Sequence, residues 1–325
     1  MKCLLKVLIS GLIAFIILSI FCAFYYNSPV HYTNNDGSTD YIWDSNYYYS
    51  RMTEGFGYGK TNNEGLMNEF DYTPSMNIDV LVMGSSHIEN QYIPMKDNVV
   101  SLLNDIDENN TYYNLGVSGH NFRTCISNLD SALSKYQPQY VVIETDSILF
   151  DDFTIDALIN DDVDEISSST NKLVIALQHN PFLRLALSQV DSFIKNNTQT
   201  QYQMSELNQE IDEDKYNELL KYINSIIEKH NTKLIILYHP TILSYTKDEL
   251  IYQTPVETAN LFNQLCKDNN IYFIDMGNIF QEEYNTNHIM PKGFFNSKVG
   301  FGHINIKGQQ MMAKEIYTLI KGEEN

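Results

Sequence analysis

The sequence predicts an α/β protein: a doubly wound, five-stranded, mostly parallel sheet behind one N-terminal transmembrane helix. Three observations predict it. Short, near-continuous apolar runs rich in β-branched residues recur along the chain, the pattern of strands buried on both faces. Stretches with apolar residues at spacings of three and four lie between and after the later runs, as helices that pack on a sheet require. An uncharged segment of about 20 residues, long enough to cross a bilayer core as a helix, stands near the start.

That segment is VLISGLIAFIILSIFCAFYY, Val7 to Tyr26. Lys2 and Lys6 precede it and, by the positive-inside rule, hold the N-terminus in the cytoplasm. Tyr25 and Tyr26 stand where an aromatic belt would. The bulky FCAFYYN offers no small-x-small site for signal cleavage, and Ser-Ile-Phe before Cys22 is a poor match to a lipoprotein box. The expectation is an uncleaved, single-pass anchor in the cell membrane over residues 1–26, with the remaining chain outside the cytoplasm.

Residues 27–75 are polar and rich in Tyr, Asn and Gly, and read as a stalk with irregular packing against the body. Within them GFGYGK (55–60) loosely suggests a phosphate loop, but it follows no strand and lacks a GKS or GKT ending. The main domain is expected over 76–325. Its strands are IDVLVM (78–83), TYYNLG (111–116), YVVIET (140–145), KLIILY (233–238) and IYFIDM (271–276). In 205–229, Tyr216, Leu219, Leu220, Ile223, Ile226 and Ile227 form one apolar helical stripe, and 254–268 and 306–320 repeat the pattern. Residues 150–205 exceed a simple crossover and read as an insertion able to cap a site. Its acidic run DDFTIDALINDDVDE is a solvated face rather than a metal site.

The net charge of −20 argues against nucleic acid as a partner and against a domain lying flat on anionic lipid. The apolar share of 43% supports a sizeable core. Cys3, Cys22, Cys125 and Cys266 show no CxxC or Cys/His spacing, so no disulfide framework, metal or cofactor is expected, a Cys125–Cys266 pair being the one pairing left open. His87, His239 and His303 likewise lack ligand spacing. Nothing in the sequence sets an oligomeric state.

Ligands of open α/β sheets bind outside the carboxyl ends of the strands. There the sequence places GSSHIEN (84–90), GVSGHN (116–121), Asp146-Ser147, His239-Pro240 and, across a loop, GFGHINIKG (300–308). Small, polar and His residues thus collect at one edge.

These blocks resemble the SGNH, or GDSL-like, hydrolases and acyltransferases, including membrane-anchored extracytoplasmic members, over roughly residues 76–320. The resemblance implies a flavodoxin-like sheet. Gly84-Ser85-Ser86 is similar to the family's nucleophile block and marks Ser86. NLGVSGHN is similar to its glycine block and marks Gly119 as an oxyanion donor beside the Ser86 N–H. HINIKG is similar to its histidine block and marks His303 as the base. Two positions depart from the pattern. Gly300 stands where the family places Asp, three residues before the histidine, and ETDSILF holds no Asn after the third strand. The resemblance then implies a Ser-His dyad or an acid recruited from elsewhere.

The residues themselves carry the same chemistry. A serine hydroxyl is a weak nucleophile that needs a base within hydrogen-bond reach, and imidazole titrates near neutral pH. Ser85 and Ser86 also suit a helix cap, Gly119 a turn, and His303 a packed position. His87 and His239 either contact substrate or are structural. Asp146 and Ser147 are the substitutes by position for the missing Asn, Asn305 braces its loop, and Asp275 or Glu89 could orient His303. The resemblance implies acyl transfer through a serine ester, with water as acceptor for an esterase and a sugar hydroxyl for an O-acyltransferase. The expected substrate is an acyl ester of a cell-surface glycan or wall polymer. The alternative is a non-catalytic glycan-binding or assembly component on the same fold.

Overall fold

The computed structural model describes residues 2–29, 31–32, 42–160, 177–196 and 211–324. Helix α1 (Lys2–Tyr25) leaves most of its apolar side chains exposed and is long and apolar enough to cross a membrane. Tyr26 opens a small antiparallel sheet of β1 (Tyr26–Asn27), β2 (Tyr48–Arg51) and β3 (Gly57–Lys60). Part of the segment expected as a stalk with irregular packing against the body thus forms an arm of two paired strands, β2 and β3. The end of the stretch GFGYGK, Gly57–Lys60, is its last strand: a Cβ on Gly57 would lie 1.9 Å from the Gln91 carbonyl oxygen. Glycine serves close backbone approach there, and the phosphate-loop suggestion has no structural counterpart.

The main domain alternates strands and helices. It begins with β4 (Val80–Gly84), α2 (Ser86–Glu89), α3 (Val99–Ile106) and β5 (Tyr112–Gly116). It continues through α4 (Phe122–Ser127), α5 (Leu129–Tyr136) and β6 (Tyr140–Thr145). Within the inserted segment lie α6 (Asp152–Ile159) and α7 (Pro181–Asn196); residues 161–176 and 197–205 of that expectation lie outside the described residues. Lys215 pairs with Asp152 at 2.9 Å on the solvent side of α6. Helix α7 lies along α1, with the Phe182 and Phe15 rings edge to face at 5.9 Å.

Helix α8 (Glu213–His230) carries the forecast stripe, with Tyr216, Leu219, Leu220, Ile223 and Ile227 buried and Ile226 partly covered. Its start is set by Asp212, whose carboxylate accepts the Asp214 and Lys215 N–H groups. Residues 205–210 of the expected helix lie outside the described residues. After β7 (Lys233–Tyr238), an unforeseen hairpin forms from β8 (Ile242–Tyr245) and β9 (Leu250–Tyr252). Helix α9 (Val256–Asp268) and β10 (Tyr272–Asp275) follow. The fifth strand stops one residue short of the expectation because Asp275 caps α10 (Met276–Asn287), accepting the Gly277 N–H at 2.8 Å. The last helix is α11 (Ile306–Glu324).

The main sheet runs β10-β7-β6-β4-β5 and every pair is parallel. Counted along the chain this is order 2-1-3-4-5, the flavodoxin-like arrangement with its switch point between the first and third strands. Alternation along each strand splits the core in two. Leu81, Met83, Val141, Ile143, Leu234 and Ile236 face α5, α8 and α9. Val80, Val82, Val142, Ile235 and Leu237 face α3 and α11.

Candidate active site

At the end of β4 the chain turns and α2 begins. Ser85 is the cap residue, extended at φ −88°, and its hydroxyl oxygen accepts the His87 N–H at 3.2 Å. Ser86 is the first helical residue, and its Oγ lies 2.9 Å from Nε2 of His303. The cap and the serine marked as nucleophile are thus divided by one step of backbone. Asn90 ends the short helix and donates to the Ile304 carbonyl at 3.0 Å, while His87 Nδ1 accepts the Ile304 N–H at 3.3 Å. Both contacts tie the serine turn to the histidine loop.

His303 is held from an unforeseen direction. Glu54, in the arm between β2 and β3, lies 2.7 Å from His303 Nδ1 through Oε2 and accepts the His303 backbone N–H through Oε1 at 3.0 Å. Burial would raise the Glu54 pKa, but the hydrogen bonds and charge of His303, with the charge of Arg51, outweigh it and hold the carboxyl below its ordinary value. An ionised carboxylate only accepts, so Nδ1 carries the proton and Nε2 is left to accept from Ser86. Gly302 has φ +79°, and a Cβ there would meet Glu54 Oε1 at 2.2 Å, so the loop needs glycine beside the acid. The Tyr92 ring stacks on the imidazole at 3.6 Å, and the Arg51 guanidinium lies 4.3 Å over Tyr92.

The two acids considered for this place are used elsewhere. Asp275 caps α10, and Glu89 accepts the Ser118 hydroxyl. The trace of Glu54 in the sequence is faint: it is the single acidic residue between Asp44 and Glu64.

Beside Ser86 opens a cavity of about 280 Å³ lined by Ser85, Ser86, His87, Gly119, His120, Asn121, Phe122, Glu144, Thr145 and Asp146. Gly119 sits in the left-handed region at φ +92°, where glycine is favoured. Among the described residues, neither the Gly119 nor the Ser86 N–H donates a hydrogen bond within the fold. Burial lowers the His120 pKa to about 4, so its ring is uncharged at neutral pH. Asp146 borders the cavity and is exposed. Ser147 does not border it; its hydroxyl donates to the Leu149 carbonyl. His239 is fully buried and pairs with Glu144. Asn305 donates to the Met290 and Gly293 carbonyls and caps α11 through Lys307 and Gly308. Among the described residues no group of three or more His, Cys, Asp and Glu is arranged to hold a metal, and all four cysteines are free.

No known protein-family profile matches the chain, and no curated protein matches it in sequence. Solved structures similar to it include the psychrotrophic esterase EstA from Pseudoalteromonas sp., at 15% identity and TM-score 0.40, covering 77% of this chain and 100% of that one. The acetyl xylan esterase AlAXEase is similar at 13% identity and TM-score 0.43, covering 75% and 100%. TesA is similar at 13% and 0.41, covering 75% and 98%. At this distance the chain's own geometry has to decide what kind of site it carries. In this chain the Ser, Gly and His blocks stand in sequence at the carboxyl edge of a doubly wound parallel sheet, with serine against histidine.

Proposed function

We propose that the protein is a serine ester hydrolase with Ser86 as nucleophile, His303 as base and Glu54 as the orienting acid. One observation carries this reading: Ser86 Oγ, the His303 ring and the Glu54 carboxylate form a chain of contacts at 2.9 and 2.7 Å. Nucleophile, base and third group each lie within hydrogen-bond reach, as activation of a hydroxyl requires.

His303 Nε2 takes the Ser86 proton as Oγ bonds to the ester carbonyl carbon. The carbonyl electron pair moves onto oxygen, where the Ser86 and Gly119 N–H groups can donate to it. Collapse breaks the ester C–O bond, and His303 returns the proton to the departing alcohol. Water then repeats the sequence on the acyl-Ser86 ester, releasing the acid. Glu54 stays ionised and stabilises the imidazolium formed in each half.

The finer reading is an extracytoplasmic enzyme anchored by α1, its N-terminus in the cytoplasm, acting on acyl esters of surface glycan or wall polymer. A sugar hydroxyl replacing water would make it an O-acyltransferase. The open cavity beside Ser86 and the exposed apolar length of α1 support it. The non-catalytic alternative draws on the absent Asp before the histidine and the absent Asn after the third strand, and Glu54 weakens the first ground.

Labelling with a serine-directed fluorophosphonate tests the proposal. Labelling abolished by Ser86→Ala and slowed by His303→Ala is the expected result. An unlabelled native protein, or labelling that survives Ser86→Ala, overturns it. Acyl-donor assays with and without a sugar acceptor separate hydrolase from transferase.

A further inference from the structure

Three neighbouring strands, β4, β6 and β7, meet beneath the serine turn, and one buried carboxylate joins their ends. Glu144 in β6 is 1% exposed. Its Oε2 accepts the Ser85 N–H at 2.7 Å, and its Oε1 accepts the Ser85 hydroxyl at 3.2 Å. Oε1 also lies 2.5 Å from Nε2 of His239, the residue after β7. The approach depends on Gly84, where a Cβ would stand 2.4 Å from Glu144 Oε2. Around the pair, the His87 ring lies edge to face with His239 at 4.5 Å, and buried Lys292 donates to the Pro240 carbonyl at 3.0 Å. Burial, reinforced for each by neighbouring positive charge, holds His87 and His239 well below the ordinary histidine range, so both are neutral at pH 7. A neutral His239 with its proton on Nε2 donates to Glu144.

We propose that Glu144, held by His239, is a positioning residue of the nucleophile turn. Fixing both the N–H and the hydroxyl of Ser85 fixes that residue's backbone and side chain. The next peptide carries the Ser86 N–H, one of the two oxyanion donors, and the next Cα carries the attacking oxygen. Glu144 touches neither directly and sets the direction of both. This role rests on Ser86 being the nucleophile. It also explains why Ser85, beside a cavity and a histidine, is not the reactive serine: its hydroxyl is committed to a carboxylate.

The test uses the full chain in detergent, with fluorophosphonate labelling rates and p-nitrophenyl acetate kinetics for native protein, Ser86→Ala, Glu144→Gln, His239→Gln and His239→Leu. A misplacement of about 1 Å at a reacting group costs roughly 10²-fold, so Glu144→Gln should lower kcat and labelling by about that factor with KM and melting temperature little changed. His239→Gln, which keeps a donor toward Glu144, should stay closer to native rates than His239→Leu. Native kcat in Glu144→Gln overturns the positioning role, as does loss of kcat only in step with loss of melting temperature. Where Glu144→Gln does not fold, the His239 pair decides: equal rates in Gln and Leu overturn the role. A labelled Ser86→Ala protein overturns the nucleophile reading instead.

Discussion

Glu54 shows how one residue from a distant segment completes a site. It reaches His303 across 249 positions of sequence and holds both the ring and the backbone N–H. Replacing it with Gln keeps the shape and removes the charge that sets the imidazole tautomer. Ester hydrolysis by Glu54→Gln should fall by about 10²- to 10⁴-fold in kcat, with circular dichroism unchanged. Glu89 makes a different case. Burial raises its pKa from 4.5 to about 6, so the folded state binds more protons than the unfolded chain between those values. Stability is therefore lost as pH rises from about 4.5 through about 6, by about 2 kcal/mol for a fully buried group. Glu89→Gln, which still accepts from Ser118, should raise stability by about 1–2 kcal/mol above pH 7 and give no gain below pH 4.5 in melting scans.

Among the elements, the arm of β2 and β3 matters most. It lies outside the main sheet, yet it carries Arg51 at its inner end and Glu54 in its turn. Its seating depends on contact with the backbone at Gln91–Ile93, where a Cβ on Gly57 would overlap the Gln91 carbonyl oxygen. Gly57→Ala should lift the arm, draw Glu54 from His303 and lower kcat by roughly 10-fold or more, while the parallel sheet keeps its melting transition. The comparison to make is kcat against melting temperature for Gly57→Ala and Glu54→Gln. Equal native activity in Gly57→Ala would show that the arm is not what seats the acid.

Across the whole molecule, the strand order sets the site. The switch point falls between β4 and β6, so Ser86 leaves one side of the crevice and Asp146 the other. The same two-faced core buries Cys125 and Cys266 on one side of the sheet, where loss of water raises both thiols far above their ordinary range. Their reaction with a thiol reagent should await global unfolding, whereas exposed Cys3 in α1 should react in the native protein in detergent. Mass spectrometry of labelled peptides over a denaturant series checks this.

What the sequence determined by itself was local in origin. A strand covered on both faces must be a short unbroken apolar run, so the five strands were legible within one or two residues at their ends. Ser86, Gly119 and His303 stood out as candidates for a related reason, since each sits in a short polar motif just past a strand or before a helix. The limits of β10 depended on a competing local signal, the Asp275 cap, hidden inside an apolar run. Tertiary structure alone decided the partners: Glu54 for His303, Tyr92 stacked on the same ring, and Glu144 with His239 beneath Ser85. A hydrogen bond between groups tens to hundreds of residues apart imposes no spacing on the chain around either, so only the packed sheet and the arm laid across it bring those residues together.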